Sequence, residues 1–288
     1  MFSGSYVAIV TPFKNGAVDY ERLRELVEFQ IENGTSGIVP CGTTGESATL
    51  THEEHKMVNK TVIEQVAGRV QVIAGAGSNN TAEAIELAKD AEQAGADAIL
   101  CITPYYNKPT QEGLFQHFKE VNDHINIPIV LYNVPGRTGS NMLPATVQRL
   151  AKLKNIVAIK EASGMLDQVT EIITNTNLDV LSGDDALTLP IMALGGKGIV
   201  SVAANIVPDM VANLCRAALN GDFAAAREIN SKLFFISKAM FIETNPIPVK
   251  TALSLMNKIS LEFRLPLVQM QTENKTKLQN ILKQYSVI

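Results

Sequence analysis

The chain has 288 residues, 46% of them hydrophobic and 19% charged, with a net charge of −4. That length is ample for a large core and long for one domain, yet within the reach of a single α/β barrel. The mild acidity excludes the basic footprint of a nucleic-acid binder and any polybasic membrane patch, and no apolar run nears the roughly 20 residues that span a bilayer.

The opening MFSGSYVAIVTPF has no cationic start before its apolar run, so no signal peptide is expected. Three widely spaced cysteines, Cys41, Cys101 and Cys215, form no CxxC pair and suit a reducing cytoplasm. Ser5–Val10 reads as the first strand, and Tyr20–Asn33 as a helix with Leu23, Leu26, Val27 and Ile31 on one face and Gly34 as its stop. Gly37–Cys41 is the second strand. Thr51–Val66 is the second helix, with Thr51 as N-cap and Glu54 completing a capping box. The strand Val70–Ala74 leads to the helix Thr81–Ala94, which turns Ile85 and Ala88 inward and stops at Gly95. Then come the strand Ala98–Ile102 and helix Gln111–Ile125, the strand Pro128–Tyr132 and a helix Pro144–Ala151 with proline at its start. The strand Ile156–Lys160 precedes the helix Leu166–Asn175, Asp179–Ser182 precedes Ala186–Leu194, and Gly198–Val202 is the eighth strand.

Eight short apolar strands alternating with helices describe a parallel sheet, and eight is the number that closes a (β/α)8 TIM barrel. The alternative, an open doubly wound sheet, lacks its fingerprint: Gly75-Ala76-Gly77-Ser78-Asn79-Asn80 has no third glycine. After Pro208 the pattern is helix only, over Met210–Leu219, Phe223–Met240, Pro248–Met256 and Glu273–Tyr285. The expected organisation is a catalytic barrel over 1–222 with a C-terminal helical extension over 223–288.

Barrel chemistry sits at the carboxyl ends of the strands. Lys160 ends the sixth strand after a mostly aliphatic run, where loss of water favours the neutral, nucleophilic amine that forms Schiff bases. The alternative is a lysine that simply snorkels to the surface. Gly42-Thr43-Thr44-Gly45-Glu46-Ser47 follows the second strand; its glycines and successive N–H groups fit a small carboxylate, though an ordinary turn has the same look. Tyr132 ends the fifth strand, about 4.8 Å from the Lys160 strand, where a phenol can shuttle protons or merely fill a barrel layer. Arg137, between Gly136 and Gly139, suits a carboxylate at the rim or bare solvent. Tyr105 and Tyr106 are adjacent and should point to different sides. His52 and His55 lie three apart, not the four of HExxH, and no cluster of strand-end ligands calls for a metal. Asp184-Asp185 could bind a cation, but two acidic residues at this place read first as a helix cap.

With Gly42-Thr43-Thr44-Gly45-Glu46, Tyr132–Gly139, Ile159-Lys160-Glu161-Ala162 and Asn245–Lys250 in order, the whole chain resembles the dihydrodipicolinate synthase family of pyruvate-dependent class I lyases and aldolases. The resemblance implies that Lys160 forms an imine with pyruvate, without a cofactor. It implies a proton relay of Tyr132, Thr43 and Tyr106, with Tyr106 supplied by the neighbouring subunit of a homotetramer built as a dimer of dimers. Thr44 and the backbone at Val202 would hold the pyruvate carboxylate, Gly183 would line the substrate site, and Arg137 would take the carboxylate of L-aspartate 4-semialdehyde. It also points to an L-lysine inhibitor site, remote from Lys160, at Ser47, Ala48, His52, His55, Asn79, Glu83 and Tyr105. The rivals are another aldolase of the same barrel, differing at the rim, and a barrel that binds a keto acid without turnover.

Overall fold

Hydrogen bonding closes the eight apolar segments into one ring. The computed structural model describes residues 1–288 and begins with strand β1 (Gly4–Ala8), followed by a two-residue hairpin of β2 (Phe13–Lys14) and β3 (Ala17–Val18). The other barrel strands are β4 (Gly37–Val39), β5 (Gln71–Gly75), β6 (Ala98–Ile102), β7 (Ile129–Asn133), β8 (Ile156–Glu161), β9 (Asp179–Ser182) and β10 (Gly198–Ser201). Each pairs in parallel with the next in sequence, and β10 returns to β1. Helices α1 (Tyr20–Glu32), α2 (His52–Val66), α3 (Thr81–Ala94) and α4 (Gln111–His124) follow the early strands. The one-turn α5 (Pro135–Thr138), then α6 (Pro144–Leu150), α7 (Leu166–Asn175), α8 (Thr188–Ala193) and α9 (Pro208–Leu219) complete the ring. Helices α10 (Phe223–Ala239), α11 (Ile247–Leu255) and α12 (Thr272–Gln284) end the chain.

The period of two along each strand sorts side chains between two cores. Tyr6, Val39, Ile73, Leu100, Val130, Ala158, Leu181 and Val200 pack together inside the barrel. Ile129, Leu131, Ile156 and Ile159 instead meet Leu114, Phe118, Val147 and Val169 of the helices outside. Counting on from Val130 and Ala158, the same period turns Tyr132 and Lys160 inward at the carboxyl end.

Several boundaries differ from the expected ones for physical reasons. The second strand stops at Val39 because Pro40 offers no amide hydrogen to the ladder. The expected helix Ala186–Leu194 is a 3-10 turn, Asp185–Leu187, followed by α8 from Thr188; Pro190 fits only in a first helical turn. On α3 the inward face is Ala84, Leu87, Ala88 and Ala91, with Ile85 only half-buried. On α1, Gln30 is buried where Ile31 was expected to be. The Asn15-Gly16 turn of the hairpin, both residues left-handed, is an ordinary hairpin signal that the strand count passes over. The expected capping box at Thr51 and Glu54 is present, and the same Glu54 takes both guanidinium arms of Arg264 at 2.6 Å. That contact holds Glu54 down at about 2 and fastens the C-terminal segment to α2.

Candidate active site

Tyr132 on β7 and Lys160 on β8 are register partners. Both are nearly buried, and the Lys160 Nζ lies 4.1 Å from the centroid of the Tyr132 ring. The next pair, Asn133 and Glu161, faces the helices and clamps that register from behind. Asn133 Nδ2 donates to Glu161 Oε2 at 3.0 Å and to Asn141 Oδ1 at 2.8 Å. Gln168 Nε2 and the Ser163 amide also donate to Glu161, at 3.2 and 2.6 Å. Glu161 is thus a buried carboxylate held by neutral N–H groups, the arrangement a buried anion needs. Asn133 Oδ1 receives the Met142 amide at 2.9 Å, so this network also closes the base of the Asn133–Met142 excursion that carries Arg137.

A cavity of about 280 Å³ opens above the lysine, lined among others by Thr43, Thr44, Tyr132, Arg137, Lys160, Gly183 and Val202. The Gly42–Ser47 turn is closed by its own hydrogen bonds, Gly45 N to Gly42 O and Glu46 N to Thr43 O, both 3.1 Å, while no carbonyl takes the Thr43 or Thr44 amide. A small carboxylate fits such amides. Arg137 sits on the single turn α5, started by Pro135 and stopped by a left-handed Gly139, rather than on an irregular loop. Its Nη2 reaches the Asn245 carbonyl at 3.4 Å, and Asn245 Nδ2 donates to Thr44 Oγ1 at 2.9 Å. Gly183 leaves space beside Lys160 that a side chain would fill.

Val202 is placed by Asp185, which does more than cap a helix. Asp184 does cap Ala186, at 2.8 Å. Asp185 is buried and accepts from the amides of Val202 and Ala203 at 3.0 and 3.3 Å and from the Ser201 hydroxyl. Burial pushes its carboxyl above the usual range, against the pull of those donors. Lys238 and Phe241, from and just after α10, also line the cavity, so the C-terminal helices help to form the mouth.

A second cavity of about 510 Å³ is lined by Ser47, Ala48, His52, His55, Glu83 and Tyr105. Asn79 is not in its wall; its side chain donates to the Tyr105 carbonyl at 3.1 Å. Glu83 accepts from Ser78 and pairs with His52 Nε2 at 2.8 Å, and these contacts, Ser78 first, hold its carboxyl below the usual range. Burial, helped by the neighbouring His52, pushes His55 down to about 4. The two cavities share Gly42, Thr43, Leu100, Tyr132, Arg137 and Asn245 as walls, so this second space adjoins the lysine mouth across those residues. Tyr105 and Tyr106 do part company. Tyr106 has a left-handed backbone, is 88% exposed and lines neither cavity of its own chain.

Sequence comparison agrees with this geometry. Residues 1–285 match the dihydrodipicolinate synthetase family. The 4-hydroxy-tetrahydrodipicolinate synthase of Geobacter sulfurreducens is 63% identical, over 100% of both chains. A solved dihydrodipicolinate synthase superposes with a TM-score of 0.99 at 60% identity, over 100% of both chains. The chloride-inhibited enzyme of Acinetobacter baumannii, solved with pyruvate, gives 0.98 at 46% identity over 100% of both chains. The Cyanidioschyzon merolae enzyme, solved with lysine bound, gives 0.97 at 41% over 100% of this chain and 99% of its own. With a barrel, a strand-end lysine and a sequence that matches from end to end, this chain belongs to the dihydrodipicolinate synthetase family.

Proposed function

We propose that Lys160, Tyr132, Thr43, Thr44 and Arg137 carry out the reaction of a 4-hydroxy-tetrahydrodipicolinate synthase, the Schiff-base lyase activity that this chain shares with its relatives. The observation that carries the assignment is the buried Lys160 amine 4.1 Å from the Tyr132 ring, beneath a cavity walled by Thr43, Thr44 and Arg137. The amine attacks the keto carbon of pyruvate and water leaves, giving an imine. The imine acidifies the pyruvate methyl group, and a base in the Tyr132–Thr43 relay takes its proton to leave an enamine. The enamine carbon then attacks the aldehyde of L-aspartate 4-semialdehyde, whose carboxylate pairs with Arg137. The amine of that substrate displaces Lys160, closing a six-membered ring and freeing the enzyme. Thr44 and the Val202 backbone hold the pyruvate carboxylate, and Gly183 keeps the wall beside the imine thin.

Turnover with pyruvate and a panel of aldehydes is the test. Aspartate semialdehyde should be preferred by a wide margin. Equal or faster turnover of a sugar-derived aldehyde would assign the site to another pyruvate aldolase, and binding of pyruvate without any turnover would make it a keto-acid receptor.

The division into a barrel of 1–222 and an extension of 223–288, a cytoplasmic setting and a homotetramer belong to the same reading. Tyr106 supports the assembly: exposed on its own chain, it is free to complete the relay of a neighbour. L-Lysine as inhibitor is a second reading, favoured by the 510 Å³ cavity, where Glu83 offers a carboxylate to an ammonium group and His52 and His55 wall an aliphatic stem. A lysine titration of the wild type and of Glu83→Ala tests it, and the shared walls of the cavities give lysine a direct route to disturb Thr43 and Tyr132.

A further inference from the structure

Two residues of the chain's own motifs have no part in the chemistry above: Glu46, which follows the Gly42–Gly45 turn, and Lys250, which ends Asn245–Lys250. The fold joins them across 204 positions of sequence in an ion pair whose two side chains are 0% exposed. The Lys250 ammonium is enclosed by two aromatic faces, 4.2 Å from the centroid of Phe13 and 5.1 Å from that of Phe263. The other Glu46 oxygen faces the Arg264 amide at 3.4 Å. Burial lowers the affinity of Lys250 for its proton, and Glu46 opposes that shift.

A buried ion pair is a poor way to gain stability, since a well-packed apolar pair of the same volume often does as well or better. It does fix geometry. Glu46 has φ 54°, a left-handed backbone that a residue other than glycine rarely adopts. Its amide donates to the Thr43 carbonyl, so anchoring the Glu46 carboxylate anchors one end of the Thr43–Thr44 turn. Five residues before Lys250, Asn245 binds the Thr44 hydroxyl and receives Arg137 on its carbonyl. The Asn245–Lys250 segment therefore grips the turn at two points, the Thr44 hydroxyl and the Glu46 carboxylate.

We propose that Lys250, through its buried pair with Glu46, is a positioning residue that holds the Thr43–Thr44 turn in the geometry that receives the keto acid. The C-terminal extension is then a working wall of the site. This inference rests on the reading that Thr43 and Thr44 bind pyruvate, and the experiment separates the two. In the full-length protein, Lys250→Met, Glu46→Gln, the double variant and Thr44→Val are compared for thermal midpoint and for the KM of pyruvate and of the aldehyde.

Each single change at the pair leaves a lone buried charge, lowers the midpoint and raises the pyruvate KM about tenfold or more, while the aldehyde KM moves much less. The double variant removes both charges and recovers most of the midpoint, but its pyruvate KM stays raised. If the double variant regains both midpoint and KM, the pair only stabilises the fold and the proposal is overturned. A single variant too unstable to assay leaves the decision to the double variant. If Thr44→Val raises the pyruvate KM and the folded pair variants do not, the proposal alone fails. An unchanged KM in Thr44→Val overturns the reading of the turn, and the proposal with it.

Discussion

Gly183→Ala adds one methyl group at the point where β8 and β9 open into the mouth. Its Cβ would stand 2.6 Å from the Ala162 Cβ, 3.2 Å from the Lys160 Cε and 3.3 Å from the Glu161 carbonyl. Carbon atoms in contact prefer about 3.5–4.0 Å, so roughly 1 Å must be found. The Ala162 Cβ is fixed to the backbone and cannot swing aside. The two strand ends are tied by the Gly183 amide on the Glu161 carbonyl at 2.8 Å and by the pairing of Lys160 with Leu181. Relief therefore displaces the strand end that aims Lys160. Overpacking of this kind costs about 1–3 kcal/mol, which lowers the thermal midpoint by roughly 2–10 °C in a chain of this size. A misplacement near 1 Å at a reacting amine costs about 100-fold in rate. The assay is kcat/KM for pyruvate beside a thermal melt and the rate at which borohydride traps the pyruvate adduct. A variant with a lowered midpoint and wild-type kcat/KM would refute the link between this contact and the amine; a variant unchanged in both would refute the packing argument itself.

Arg137→Ala should raise the KM for aspartate semialdehyde far more than that for pyruvate, by about 2–5 kcal/mol of lost pairing, and equal changes in both would remove Arg137 from the aldehyde subsite. Tyr106→Phe should bind pyruvate yet lose roughly 100-fold or more in kcat, and mixing it with Lys160→Ala subunits should restore partial activity; no recovery after verified exchange would mean that each chain supplies its own tyrosine. Glu161→Leu leaves the Ser163 amide without its acceptor and unpins Asn133 and Gln168, at a cost of about 2–4 kcal/mol, and a urea midpoint equal to wild type would contradict the clamp. Burial holds His55 and His117 down at about 4, against an ordinary 6.5. The unfolded chain therefore takes up protons that the native one refuses. Their contribution is fully present above pH 6.5 and is lost as pH falls towards 4, at most about 3 kcal/mol for each ring. Urea titrations from pH 7 to 4.5 should show that loss, and His117→Leu should flatten it; an equal slope in both proteins would refute the assignment.

The barrel was legible because each of its strands is an apolar run bounded by turn residues, and because parallel strands with helices on their outer faces need little else to declare themselves. Lys160 stood out as a charge at the end of such a run, and Tyr132 as its neighbour one strand away. What the sequence hid is mostly long-range. Nothing local shows that Lys250 meets Glu46, or that Asp185 holds the Val202 amide from the next strand over. Glu161 was in plain view beside Lys160, but the alternation of the strand sends it to the helices, where its partners come from three separate segments. That the two cavities share walls was equally invisible, since it depends on how the Gly42–Ser47 turn packs between them. The one-turn helix under Arg137 had a signal, Pro135 at its start and Gly139 at its end, that reads the same in a loop.

The central claim is that the Lys160 amine forms the imine. Borohydride reduction in the presence of pyruvate, followed by peptide mass measurement, tests it directly. The wild type should carry one stable pyruvate-derived addition per chain, on the peptide that contains Lys160, and Lys160→Ala should carry none and lose nearly all turnover. An adduct that persists in Lys160→Ala, or an active wild type that yields no adduct at Lys160, would contradict the account.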